Sequence, residues 1–231
     1  ILNGTTNYIL SKMTDEGKSF EEVLKRAQEK GYAERNPEAD VEGYDACRKI
    51  AILTSLALGK QVEYQDIYTE GITKITKTDI EYAKALHASI KLLGTSKWED
   101  DGKIYSMVAP FMIDSDHPLG HVNGVFNGIF VNGAGKLPTA SAVVADVVDA
   151  VKHQGTNIMT IWEQDKVELG DRANFACRFF VRVADTTSKE TVEKIFGEVE
   201  YVTLADVSGE YAFLTDKLTE GAFEEKSKQV D

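Results

Sequence analysis

The sequence predicts an α+β chain in which a mixed sheet is covered by helices on one side and is followed by a small α/β unit. Two observations carry that expectation. Apolar residues recur at helical spacing as far as the helix that begins near Thr78-Asp79, and beyond it the pattern changes to strand-like runs separated by turn signals. After a polar stretch from Gln154 to Arg172, strand and helix patterns start again.

Element by element, Asn3-Gly4-Thr5-Thr6 is a turn-like cluster running into a short helix through NYILSKM, where Tyr8, Ile9 and Met13 share a helical face. Ser19 and Glu22 have the spacing of a capping box, and the helix they open runs to Gly31, a C-terminal stop. Tyr32 to Asp40 is a polar loop broken by Asn36-Pro37. A helix then runs from Val41 to Gly59, with Asp40 and Glu42 at the positive end of its dipole. Its second half, IAILTSLALG, carries no charge, and a segment that apolar is ordinarily buried.

KLLGTSKWE and KIYSMVAPFMI, joined through Asp100-Asp101-Gly102, read as a hairpin, because Asp-Gly tolerates the positive φ of a tight turn. NGVFNGIFV from Asn123 reads as a further strand. GAGKLPTASAVVADVVDAVKH reads as a glycine-rich turn, a proline just inside a helix start and a small-residue helix ending near His153. FACRFFVRVAD, SKETVEKIFG, EVEYVTLA, EYAFLTDK and TEGAFEEKSKQ then give strand, helix, strand, strand and helix.

Composition excludes several classes of partner. With 231 residues, 42% of them hydrophobic, the chain can bury one large core or two modest ones. Its 26 basic and 38 acidic residues leave a net charge of -12, which repels nucleic acid and anionic membrane. No apolar run is long enough to span a bilayer. Cys47 and Cys177 are too few and too isolated for a disulfide framework or a metal site, which places the chain in a reducing, cytoplasmic setting. The opening ILNGTTNYIL, without an initiator methionine, reads as a piece of a longer protein.

The chemistry concentrates around one lysine. Asp45 and Lys49, four residues apart, share a helical face and can pair. An exposed pair of that kind is worth only about 0.3–0.5 kcal/mol, but Tyr32, Glu34 and Asp40 lie in the loop leading to it. Acidic groups and one ammonium around a helix N-terminus suit a zwitterionic ligand such as an amino acid. A lysine near a carbonyl can deliver a proton as charge develops on oxygen. A metal would more usually call for histidines or a looped acidic ladder, and none is expected. The Gly133-Ala134-Gly135 turn lacks the full GxGxxG fingerprint, and His87, His117, His121 and His153 form no spaced ligand pair.

The spacing has a family likeness. Ala27, Gly31-Tyr32-Ala33, Asn36-Pro37, Asp40-Val41, Gly43, Asp45 and Lys49 resemble, at every fixed position, the homoserine dehydrogenase signature A-x3-G-Y-[STA]-x2-[DN]-P-x2-D-[LIV]-x-G-x-D-x3-K. NGTTNYIL is similar to the family's entry into its substrate domain and GAGKLPTASAVVADVVDAV to its return segment. The resemblance covers residues 1 to 153, and the tail looks like the small ACT-type unit that many members append.

That resemblance implies a substrate and dimerisation domain over residues 1–153, a linker over 154–172 and an ACT-like regulatory unit over 173–231. It implies interconversion of L-aspartate 4-semialdehyde and L-homoserine with NADP or NAD, on the route to threonine, methionine and isoleucine, by a homodimer with an amino acid effector at its C-terminal unit. Lys49 would be the proton donor and Asp45 its orienting partner. Glu34 and Asp40 would hold the amino-acid end of the substrate, helped by Tyr32, Gly4 and Thr5, and Gly135 would approach the nicotinamide. No strand-GxGxxG-helix unit is present, so the cofactor is expected to be bound mainly by an N-terminal domain this chain lacks, leaving the fragment inactive alone. A non-catalytic amino-acid-binding regulatory protein using the same pocket is the competing reading.

Overall fold

The computed structural model describes residues 1–99, 102–132 and 163–230. Helix α1 (Gly4–Glu16) opens on Asn3, whose side chain accepts from the Thr6 N–H, so the cluster expected to form a turn is the first turn of the helix. Helix α2 (Phe20–Glu29) has the expected capping box, with Ser19 and Glu22 each bonding the other's backbone. The loop that follows does not lead straight into a long helix. It forms the short α3 (Glu38–Val41), and Gly43, at φ 82°, breaks the chain before α4 (Tyr44–Leu58). Asp45, rather than Asp40 or Glu42, therefore occupies the first turn of the helix that carries Lys49.

After β1 (Lys60–Gln61), β2 (Tyr68–Thr69) and α5 (Lys77–Ala85), the hairpin forms as expected from β3 (Ala88–Trp98) and β4 (Ile104–Asp114). β3 pairs antiparallel with β4 over its whole length and β2 joins β4 in parallel, giving a mixed three-stranded sheet. Ile90, Leu92, Val108 and Met112 alternate onto one face and pack with Leu10 and Met13 of α1 and Ala46 and Ile50 of α4. Gly94 lets that packing close, since a Cβ there would stand 3.2 Å from both Ile50 and Leu2. Burial of each large aliphatic side chain in this cluster is worth about 1.5–3 kcal/mol.

Residues 122–132 are not a strand. Val, Phe and Ile alternate there with Asn and Gly, but the backbone groups find side chains instead of a neighbouring strand. Val122 O accepts from Asn7 and Lys91, Phe126 O accepts from Asn7, and Gly124 N donates to Ser11. The glycine-rich turn at 133–135, the helix expected to end near His153 and the first half of the 154–172 stretch lie outside the described residues. The second half contains β5 (Glu163–Lys166), which pairs in parallel with β1.

The C-terminal unit follows the expected order. β6 (Ala176–Cys177), β7 (Phe180–Ala184), α6 (Lys189–Phe196), β8 (Val199–Val202), β9 (Glu210–Thr215), β10 (Leu218–Thr219) and α7 (Glu220–Ser227) succeed one another. β9 lies between β7 and β8, antiparallel to both. Val183, Val192, Phe196, Tyr211 and Phe213 form its own core. Val202 and Ala212 pack instead against Tyr82 of α5, and Arg182 fixes that contact by bonding Glu210 through two nitrogens and Asp79 at 2.8 Å.

Candidate active site

The site forms where the start of α1, the short α3 and the first turns of α4 meet. Position four on a helix brings Lys49 Nζ within 2.6 Å of Asp45 Oδ2, and the same ammonium donates to the Leu2 carbonyl at 3.1 Å. A lysine has three N–H donors; among the described residues, two are thus used. Lys49 also lines an open cavity of about 520 Å³ with Leu2, Ile52, Leu53, Asn127, Gly128 and Ile129. The side chains of Lys49 and Asp45 keep 45% and 32% of their exposure, enough for a ligand to reach both.

Burial works to raise the Asp45 carboxyl, but hydrogen bonds from Lys49 and Asn3 outweigh it and hold the group below the ordinary aspartate value of 3.8. With the folded value depressed, the carboxylate's contribution to stability is complete above 3.8 and is lost as pH falls through the folded value. The pair is therefore intact at neutral pH.

Asn3 is the residue that reading the sequence missed. Its Nδ2 donates to Asp40 Oδ1 at 2.7 Å and to Asp45 Oδ2 at 2.9 Å, while its Oδ1 caps α1. One amide thus binds two carboxylates that would otherwise repel, and it does so from a cap position that holds it still. An Asn immediately before a helix start was the available signal.

The remaining expected residues are placed as follows. Thr5 Oγ1 donates to the Tyr32 carbonyl at 2.6 Å, tying α1 to the loop after α2. Tyr32 is 43% exposed, and its ring meets Tyr8 edge-on with centroids 5.0 Å apart. Gly4 lies under the 122–132 loop, where a Cβ would come within 2.6 Å of Val125 O. The structure brings Asp40 to Asp45 through Asn3. It does not bring Glu34 into that network: the residue is exposed, and among the described residues its carboxylate makes no hydrogen bond, while its backbone carbonyl accepts from Gln28. Gly135 lies outside the described residues.

The apolar half of α4 departs from the expectation of burial. Ile52 and Leu56 are 56% and 51% exposed on the side of the helix that carries Lys49, and Ile129 across the cavity is 65% exposed. A flat, apolar ring could lie on such a wall beside the ammonium, so the residues present fit a nicotinamide. The glycine-rich loop that would cradle the phosphates of a dinucleotide is absent from the described residues. None of their helices is long and apolar enough to cross a membrane.

Comparison with known proteins bears on the same residues. The sequence model of the homoserine dehydrogenase family matches residues 1–148. The homoserine dehydrogenase of Synechocystis is 50% identical over 166 residues, and that of Helicobacter pylori is 39% identical over 207 residues. These matches cover 65% and 84% of this chain but only 38% and 49% of the two relatives, so the chain spans less than half the length of either. The solved homoserine dehydrogenase of Thiobacillus denitrificans is similar over 100% of this chain and 59% of its own, at a TM-score of 0.77 and 29% identity. A homoserine dehydrogenase structure from S. aureus matches 99% of this chain and 60% of its own, at 0.70 and 33%. With the family model matched over residues 1–148 and the Helicobacter pylori relative 39% identical over 84% of this chain, the chain belongs to the homoserine dehydrogenase family.

Proposed function

We propose that this chain supplies the substrate-binding and proton-transferring part of an NADP- or NAD-dependent homoserine dehydrogenase, interconverting L-aspartate 4-semialdehyde and L-homoserine. The observation that carries the reading is the Lys49 ammonium, tied to Asp45 and the Leu2 carbonyl at the mouth of an open cavity, with one N–H left over among the described residues.

A bound nicotinamide would supply or accept the hydride at the aldehyde carbon. Lys49 gives its proton to the oxygen as charge develops there, and in the reverse direction the neutral amine takes the proton back. Asp45 keeps the Lys49 side chain aimed at that oxygen. Asp40, held by Asn3, and Glu34, exposed in the loop after α2, receive the substrate's own ammonium. Ile52, Leu53 and Ile129 would offer the nicotinamide ring an apolar wall. Tyr32, Thr5 and Gly4 shape the approach.

In this reading residues 1–153 form the substrate and dimerisation part of a homodimer, 154–172 the linker and 173–231 an ACT-like unit that takes an amino acid effector. The separate core and the antiparallel β7-β9-β8 sheet with α6 between β7 and β8 in the chain support the last assignment. Gly135 would meet the nicotinamide half of the cofactor, the remainder being held by a nucleotide-binding segment of the complete protein. The free thiols of Cys47 and Cys177 suit a reducing cytoplasm. Assay of the complete protein with L-aspartate 4-semialdehyde and each reduced nicotinamide, and with L-homoserine and each oxidised one, tests this. Turnover in both directions is expected, and its absence with both cofactors would contradict the assignment.

A further inference from the structure

Lys91, on β3, is 2% exposed, although lysine is almost never buried without a charged partner. Its Nζ donates to Val122 O at 2.7 Å, Asn123 Oδ1 at 2.9 Å and Asn7 Oδ1 at 3.3 Å. Three donors meet three oxygens, all of them neutral. With no carboxylate in contact among the described residues, burial outweighs the opposing pull of Asp15 and pushes the ammonium down to about 8. A methionine would fill the same space without that cost, so the charge has to be explained by what it holds.

What it holds is a loop with no strand partner. Val122 and Asn123 begin the stretch that Asn7 and Ser11 also grip, and Gly128 N then donates to the Ile1 carbonyl at 3.0 Å. Four residues beyond Asn123 the same loop supplies Asn127, Gly128 and Ile129, which stand across the cavity from Lys49. The loop lies against α1 at Gly4, so small changes in its path alter the cavity wall directly.

We propose that Lys91 is a positioning residue for the substrate cavity: its ammonium clamps the start of the 122–132 loop onto α1 and β3 and so sets where Asn127 to Ile129 face Lys49. The inference rests on the homoserine-binding reading above for its consequence, but the clamp itself can be tested apart from it.

The test is hydrogen-exchange mass spectrometry of this 231-residue chain, wild type against Lys91→Met, combined with calorimetric titration of L-homoserine. Exchange in peptides covering residues 122–132 should quicken by about tenfold or more while peptides from α4 and β4 keep their rates. The homoserine dissociation constant should rise by about tenfold. Unchanged loop exchange, or quickening spread evenly over the chain, would overturn the proposal, since a purely structural lysine lowers protection everywhere. So would a loosened loop with undiminished homoserine affinity. Should Lys91→Met fail to fold, Asn123→Ala, which removes one loop acceptor and leaves the lysine in place, is read by the same outcomes. A wild-type chain that binds no homoserine would sink the functional reading, leaving loop exchange to decide the clamp.

Discussion

Replacing Lys49 by alanine should lower the turnover of the complete enzyme by about 10²–10⁴-fold, the usual worth of a positioned general acid. Nothing in the fold opposes the change. The side chain is nearly half exposed, its partner Asp45 keeps the Asn3 amide, and the Leu2 carbonyl borders an open cavity. Thermal stability should fall only slightly, because an exposed i,i+4 pair contributes about 0.3–0.5 kcal/mol. Steady-state kinetics and a melting curve on one preparation separate the two effects. A variant with normal turnover and a lowered melting temperature would mean that the lysine is structural.

Asn3→Asp should cost about 10- to 100-fold in kcat/KM, or about 1.4–2.7 kcal/mol of transition-state stabilisation. Asparagine and aspartate cap helices about equally well, so the start of α1 is preserved. What changes is the atom facing the two carboxylates. A third acidic oxygen would replace the amide that now stands 2.7 Å from Asp40 and 2.9 Å from Asp45. Carboxylates that close cannot all ionise, so one takes a proton. The proton shared by the cluster weakens the hold on Lys49, and the acid limb of the pH–rate profile should move to higher pH. Wild-type kinetics with an unmoved profile would show that the amide plays no part in holding Asp40 and Asp45.

These two residues differ in how they could be found. Lys49 and Asp45 were legible because their relation is local: four residues on a helix share a face in any fold. Asn3 was read only as part of a turn-like cluster, and its bonds to Asp40 and Asp45 exist only because α1 is brought against α3 and α4 by Leu10, Met13, Val41 and Ala46. The start of α4 was misplaced for a smaller reason. Asp40 to Lys49 sets the apolar Val41, Ala46 and Cys47 among charged residues as one continuous helix would, and only the left-handed Gly43 divides it into two helices.

The 122–132 segment shows the opposite failure. Its Val, Phe and Ile residues are strand formers, yet side chains of α1 and Lys91 of β3 provide hydrogen bonds to its backbone. Burial too was misjudged in one place, since the apolar run after Lys49 leaves Ile52 and Leu56 open on the cavity side. An uncharged helix half signals apolar surroundings without saying whether protein or ligand provides them. The hairpin and the C-terminal unit were legible because turn residues and alternating strands agree over their whole length.

The most direct test of the account is calorimetric titration of L-homoserine into the 231-residue chain and into its Lys49→Ala variant. The account predicts saturable binding to the first that weakens by about tenfold or more in the second, as expected when a charged donor to the substrate oxygen is removed. Equal affinity in the two, or no binding to either, would contradict a cavity built around Lys49.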